Sequence, residues 1–383
     1  MTMTLSDILV TATFSLGLFG AAFCYLQERD VWAFRTLGLV LLLSSVSELN
    51  DVPFPFATMA ATESYEIVAV TLWIASIVLL APLFWHYVCA LTSVTPKVPK
   101  RWWLHAILPA LGVFVAFLVV LMPHDARLGL FIDGYDLPTG WPLAVGYFGQ
   151  ILLLCAVLQW GGYFVAIILR LRRYRGRLPQ FVASTERKEL TWIWMLCLSV
   201  SIYWVVSAVD VYTETFHDRA FVSDLQDDVL GLLLLLVIML FGLQQRPGLA
   251  PDVTPTETVK KYEKSALTSD VSKRIERKLR HAMTNDALYH DPNLSLWTLA
   301  NHIGASPNYV SQTLNDDIGE SFFDFVNGYR IADAQSRLRD SDETVLAIAY
   351  DVGFNSRSSF YTAFGKVTGQ TPTAYRQGVS VSA

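Results

Sequence analysis

Two groups of residues in this 383-residue chain have types and spacings that point to chemistry. The first is the stretch 343–376, where a short helix from Val345 to Tyr350 precedes a turn at Gly353 and a second helix from about Ser356 to Val367. That order is the sequence form of a helix-turn-helix, whose second helix can enter a DNA major groove. The second group is Glu48, Asn50, Glu66, Gln150, Asp210, Asp227 and Asp228, polar groups set in or beside long apolar runs. At membrane depth such groups are costly and mark ligand or ion sites. Two readings stay open for them: a shared outward-facing ligand pocket, or the ordinary interfacial polar residues of apolar helix ends. Other chemistries are not written here. The sequence holds no nucleotide loop, nucleophile elbow or paired catalytic carboxylates, and no metal-ligand spacing, so no enzyme activity, cofactor or metal is expected. Cys24, Cys89, Cys155 and Cys197 all fall inside apolar runs and are expected to be small packing residues rather than disulfide partners.

The elements that must position these residues fall into two kinds. Of the chain, 53% is hydrophobic and 16% charged, against about 25% charged in an ordinary soluble domain. Apolar segments near the bilayer-crossing length of roughly 20 residues recur at about 6–26, 33–49, 65–92, 103–122, 142–170, 189–211 and 224–244. The second is short and broken by Ser44, Ser45 and Ser47, and the fifth is long. The start, MTMTLSD, has no basic residue before the first run, so that run is expected to be a retained span rather than a cleaved signal. With an outside N-terminus, the inside loops carry eleven Lys or Arg and the outside segments only Arg127 and Arg219. This asymmetry predicts a cytoplasmic C-terminus, which an odd number of spans requires. The basic run Arg170–Arg177 is expected to be a topology anchor at anionic lipid heads. A Pro-rich linker at 246–262 follows the last span, so the expected division is 1–245, 246–262 and 263–383.

Residues 259–383 hold 14 Lys or Arg against 14 Asp or Glu, a balanced soluble domain. Val271, Ile275, Leu279 and Met283 recur every four residues and predict an amphipathic helix, packed on this domain or paired with a second copy. A first helix-turn-helix precedes the one at 343–376. Ser295–Ile303 is its first helix, Gly304 the break, and Ser306 with Pro307 cap and start the second. Glu320–Arg339 joins the two. Phe322, Val326 and Tyr329 lie on one side of that helix, and Ile331, Ala334 and Leu338 nearly opposite, so its two halves are expected to pack on different subdomains.

Residues from about 265 to 377 resemble the AraC-type (AraC/XylS family) transcription regulator domain. The features that carry the resemblance are Leu299-Ala300, Gly304, Ser306-Pro307, Gly319, Tyr329-Arg330, Ala334, Ile348-Ala349, Gly353-Phe354, Ser359-Phe360, Phe364, Gly369, Thr371-Pro372 and Tyr375-Arg376. In place of the family's usual N-terminal cupin domain stand the seven spans. The resemblance implies two recognition helices in successive major-groove segments about 34 Å apart. It assigns base contacts to Asn308, Ser311 and Gln312 in the first, and to Arg357, Ser358, Tyr361 and Thr362 in the second. Arg can bond guanine bidentately, and Asn or Gln suits adenine. One departure is Gly365 where the family usually has Lys; Lys366 follows it and is counted with the DNA-binding residues, and phosphate contacts are expected to be fewer.

The expected fold class is thus all-α: a seven-helix transmembrane bundle, N-terminus out and C-terminus in, followed by a cytoplasmic domain of two helix-turn-helix subdomains on one long helix. The expected function is a one-component transcription regulator in a bacterial inner membrane, its partners double-stranded DNA, the lipid bilayer and an unknown small-molecule or membrane signal. RNA polymerase and a second copy of the chain are further candidate partners. The alternatives are a transporter or membrane enzyme with an accessory DNA-binding module, a passive DNA tether, and release of the domain by proteolysis in the linker.

Overall fold

The computed structural model describes residues 4–28, 31–48, 59–93, 102–131, 137–184, 190–202, 223–245 and 269–381. Among these the chain is all-helical apart from one isolated antiparallel bridge, Val182 to Ser295. It divides into two units: Met1–Arg170 with Leu190–Pro247, and Leu171–Glu189 with Gly248–Ala383. The expected linker 246–262 lies outside the described residues. The second unit takes in Leu171–Glu189, a segment that a linear division at residue 245 leaves with the apolar helices.

The first unit contains α1 (Leu5–Tyr25), α2 (Val31–Ser47), α3 (Met59–Leu91), α4 (Ile107–Val120), α5 (His124–Phe131) and most of α6 (Trp141–Arg177). It ends with α7 (Thr191–Ile202) and α8 (Asp224–Gly242). Among the described residues five segments are long and apolar enough to cross a membrane: Leu5–Tyr25, Leu72–Leu91, Trp103–Val120, Trp141–Gln180 and Leu225–Gly242. The expected spans at 33–49 and 189–211 correspond to the shorter apolar helices α2 and α7, and 203–211 falls outside the described residues.

Small residues let these helices approach closely. A Cβ on Gly17 of α1 would lie 2.0 Å from Ser45 Oγ and 3.1 Å from Leu41 O of α2. Buried backbone groups need internal partners. Pro82 inside α3 has no N–H to give the carbonyl of Val78. The side chain of Gln159 from α6 donates to that carbonyl at 3.5 Å. At the C-terminal end of α3, Arg170 of α6 donates to Thr92 Oγ1 (2.5 Å), Ser93 Oγ (2.8 Å) and Cys89 O (3.4 Å). A cation there also complements the helix dipole. Arg170, one of the expected lipid-facing anchors, is in this way built into the helix packing.

The second unit is built by caps. It comprises α9 (Ser269–Thr284), α10 (Leu296–His302), α11 (Pro307–Gln312), α12 (Phe322–Asp340), α13 (Val345–Asp351), α14 (Arg357–Thr368) and α15 (Pro372–Val381). Ser295, Ser306, Ser321, Thr344 and Ser356 each precede a helix and accept a backbone N–H from its first turn. Each such cap is worth about 1 kcal/mol. A π-helical turn, Thr313–Ile318, extends α11. The amphipathic α9 buries Ile275, Leu279, Ala282 and Met283 in the same core as α10 and α11, so it packs within the unit.

The change of face along α12 is borne out. Phe322, Phe325 and Val326 enter a first core with Leu299, Ala300 and Val310. Ile331, Ala334 and Leu338 enter a second core with Ile348, Val352, Phe360 and Phe364. Helix α15, expected only through Thr371-Pro372 and Tyr375-Arg376, closes that second core. Tyr375 packs edge-on against Phe364, and Arg376 donates to the carbonyls of Leu338 and Glu343. Since the cores are separate, Phe360→Ala should destabilise the second by about 3–5 kcal/mol. In hydrogen exchange on the full chain, α13 and α14 should lose protection before α9 and α10 do; equal loss in both sets would contradict two cores.

Candidate nucleic-acid interface

The second helix of each helix-turn-helix carries the polar face that base reading needs. On α11, Asn308 and Gln312 are exposed and Ser311 is half-buried. Tyr309, Val310 and Leu314 point into the core and fix the helix's rotation. Asn315, one turn on, donates to Ser311 O at 2.8 Å and so occupies part of that end of the face. The acidic pair that follows is partly committed: Asp317 accepts from Ser272 of α9, which is itself buried beside Thr313.

On α14, Arg357, Ser358 and Thr362 are exposed and Tyr361 is half-buried, while Phe360, Ala363 and Phe364 are buried. The Arg357 guanidinium lies over the Tyr361 ring, 4.9 Å from its centre, and Nη2 reaches the phenol oxygen at 3.4 Å. A hydrogen bond with Thr373, helped by Arg357, holds the Tyr361 phenol below its usual pKa. The pair leaves guanidinium N–H groups free to meet a guanine edge. Lys366 instead bridges to Asp324 at 2.6 Å. Both side chains are largely exposed, so the bridge is worth at most about 1 kcal/mol and can open to a phosphate.

The two halves are joined at Arg330, fully buried on α12. Its Nε donates to Tyr289 O and its Nη2 to Asp291 O, both at 2.7 Å. Its Nη1 donates to Ala183 O (3.3 Å) and Asn327 Oδ1 (3.2 Å). The guanidinium also lies 5.4 Å from the Phe354 ring centre, in the turn of the second helix-turn-helix. Burial pushes this group down to about 10, and the charge of Asp291 opposes the fall, so it stays protonated at neutral pH. Gly353, at φ +99°, completes the junction: a Cβ there would lie 2.4 Å from Tyr289 O and 2.9 Å from His290 O. Beside it, Asp333 accepts from His290 (2.9 Å) and Arg337 (3.1 Å). Burial works against its ionisation, but these hydrogen bonds outweigh it and hold the carboxyl below the usual range.

The polar residues of the first unit divide. Glu48, Asp227 and Asp228 line one cavity of about 400 Å³ whose walls include Trp73, Trp160 and Phe164. Asp228 there accepts from Ser6 of α1. Gln150 lines a different cavity of about 340 Å³, with Leu137 and Tyr147. Asn50, Asp210 and the side chain of Glu66 lie outside the described residues. Among the described residues no cluster of three or more His, Cys, Asp or Glu is placed to hold a metal ion.

Three positions central to the junction were not singled out as site residues from sequence: Arg330, Asn355 and the segment 178–184. The signal for the last was available, an apolar Phe181-Val182-Ala183 in an otherwise polar loop behind a basic run.

Residues 299–378 match the helix-turn-helix domain family. An uncharacterized HTH-type transcriptional regulator of Staphylococcus aureus (strain COL) is 37% identical over 89 residues, 23% of this chain and 12% of that protein. The uncharacterized HTH-type transcriptional regulator YtdP of Bacillus subtilis (strain 168) is 26% identical over 176 residues, 43% of this chain and 23% of its own length. Among solved structures, the C-terminal domain of AraT, a response regulator from Geobacillus stearothermophilus, is 26% identical, covering 30% of this chain and 88% of that one, with a TM-score of 0.24. The chain spans between about an eighth and a quarter of the length of these curated relatives, at 12% and 23%. The C-terminal region is accordingly a helix-turn-helix domain of AraC type, and the proteins it matches are transcriptional regulators.

Within the matched residues, Arg330 yields the clearest structural test. Arg330→Lys keeps the charge but replaces a fork of donors by a point ammonium. Each carbonyl left without a donor should cost about 1–3 kcal/mol. Exchange of the amides of α10 and α13 should rise together in this variant, and a rise confined to one half would contradict the joining role.

Proposed function

We propose that this chain is a membrane-embedded one-component transcription regulator. Its helix-turn-helix domain binds DNA sequence-specifically on the cytoplasmic side of a bacterial inner membrane, and the apolar helices anchor it and receive the signal. The observation that carries this reading is the combination, in one chain, of five helices of membrane-crossing length and apolarity with a helix-turn-helix domain whose second helices expose polar faces. The Lys and Arg asymmetry supports seven spans with the N-terminus out and the C-terminus in.

In this reading Asn308, Ser311 and Gln312 contact bases in one major-groove segment, and Arg357, Ser358, Tyr361 and Thr362 in the next. Lys366 leaves Asp324 for a phosphate. Regulators are not enzymes, and the domain matched here is a regulator's domain. Double-stranded DNA and the bilayer are the principal partners, with RNA polymerase and a second copy of the chain on the cytoplasmic side. The signal is taken by the cavity of Glu48, Asp227 and Asp228, whose carboxylates and aromatic walls suit a small molecule with both polar and apolar parts. For such a ligand to act, it must bind two states of the protein unequally.

The test uses the full chain in lipid nanodiscs and a duplex enriched from a random library. Arg357→Ala should lose about 1–3 kcal/mol of discrimination at one base pair, leaving preference elsewhere intact. An unchanged footprint and base preference would remove Arg357 from the reading set. Failure of the parent to enrich any sequence would defeat the DNA-reading function itself. A fluorescent protein fused after residue 383 should fluoresce, whereas a phosphatase active only in the periplasm should be silent there; the reverse would overturn the orientation.

A further inference from the structure

Residues 178–184 follow helix α6 in the chain, yet they are packed as part of the helix-turn-helix unit. Leu178, Val182 and Ala183 are at most 1% exposed. Ala183 belongs to the first core, and Phe181 stacks on Trp297 of α10 with ring centres 5.2 Å apart and planes 14° apart. The backbone pairs as well. Ala183 N–H donates to Leu294 O (3.2 Å) and Leu296 N–H to Phe181 O (2.9 Å), on either side of the Val182–Ser295 bridge. Ser295 is the N-cap of α10.

The same seven residues reach the other half. Arg330, which joins the halves, takes Ala183 O as one of its carbonyls. Asn355 Nδ2 donates to both Ser184 Oγ and Pro292 O at 3.0 Å. Asn355 directly precedes Ser356, the N-cap of recognition helix α14. The segment thus runs from the cap of the first helix-turn-helix to the residue before the second recognition helix, crossing the buried guanidinium between them.

We propose that residues 178–184 are a strap that holds the two helix-turn-helix halves in their DNA-reading arrangement, and that seating of this strap is the step through which the apolar helices set DNA affinity. The proposal rests on the DNA-reading function above. Its physical basis is preorganisation. Two reading heads bind together far more tightly than either alone only if their spacing suits both groove segments. Fixing that spacing before binding removes an ordering cost from the binding step. The strap is also the covalent continuation of α6 (Trp141–Arg177), so a movement of that helix is passed directly to Leu178 and Phe181. Unseating would withdraw Ala183 O from Arg330, uncover Trp297 and release the side chain of Asn355 from Ser184.

The test again uses the full chain in nanodiscs with the duplex enriched on the parent. Val182 and Ser295 form a non-hydrogen-bonded antiparallel pair, a geometry with Cα atoms about 4.5 Å apart and therefore open to a disulfide. In Val182→Cys with Ser295→Cys, oxidation should seat the strap permanently, and the oxidised protein should bind the duplex at least as tightly as the reduced form of the same variant. That comparison cancels the loss of the Ser295 cap. Phe181→Asp should unseat the strap. The amides of Ala183 and Leu296 should then exchange faster while α12 to α14 stay protected, and affinity should fall at least tenfold. Adding the cysteine pair to Phe181→Asp and oxidising it should restore binding, which a merely misfolded domain would not do.

Three results would overturn the proposal: parent-like affinity in Phe181→Asp with those two amides exposed, no rescue on oxidation, or weaker binding when the strap is locked. If the parent enriches no duplex, the DNA-reading function fails and the strap's role with it. If the parent enriches one and the strap variants bind like the parent, the strap alone fails.

Discussion

The helix-turn-helix unit depends on one buried cation. A guanidinium taken from water into a protein interior is tolerated only when its donors are satisfied. Arg330 meets that demand with backbone carbonyls from Ala183, Tyr289 and Asp291 and the side chain of Asn327, rather than with a carboxylate. Because those carbonyls come from segments far apart in sequence, satisfying one side chain brings them to one point. The close approach of Gly353 to Tyr289 O and His290 O follows from the same convergence, since no Cβ fits there. The two cores on either side of α12 would otherwise be independent small domains sharing a rod.

That dependence explains what sequence could and could not deliver. Helix positions in the C-terminal unit were legible because each start has a local chemical cause: Ser306 with Pro307, or Thr344 and Ser356 accepting N–H groups within three residues. The face change on α12 was legible because periodicity is a property of neighbouring residues. The partners of Arg330 were not, because a guanidinium bonded to carbonyls leaves no complementary residue type in the sequence; any residue supplies a carbonyl. The docking of 178–184 left one trace, the apolar Phe181-Val182-Ala183, which names no partner, and a basic run beside an apolar helix has a sufficient explanation in membrane topology. Of the polar residues in the apolar half, sequence could place Glu48, Asp228 and Gln150 near helix ends. It had no measure of which cavity each helix face lines, and Gln150 falls in a different one from the other two.

The apolar unit obeys the complementary constraint, that a buried carbonyl without an N–H partner is costly. Pro82 breaks the ladder of α3, and Gln159 of α6 meets the orphan carbonyl of Val78. At the end of the same helix Arg170, another α6 residue, meets Thr92, Ser93 and Cys89. Helix α6 therefore serves α3 at two levels with polar side chains, and its earlier turns put apolar Val145, Leu152 and Ala156 into a core with Ile74 and Val78 of α3. This ties α6 to its neighbours by directional bonds that allow a few discrete arrangements rather than a continuous slide.

On the proposed function, charge decides where regulation has most leverage. No Lys or Arg lies between Ser306 and Ile318, and Lys366 of the second recognition helix is shared with Asp324. Affinity for DNA scales steeply with the number of phosphates neutralised, so in the proposed role each head by itself binds weakly. A protein rich in phosphate contacts would hold DNA whatever the spacing of its heads. One poor in them must engage both heads together, and its affinity then depends on the geometry between them. Arg330, Gly353 and Asn355 set that geometry from inside the domain, and residues 178–184 touch two of the three. Weak individual heads are thus a condition for control through the junction, since only then does a small change in spacing separate bound from unbound.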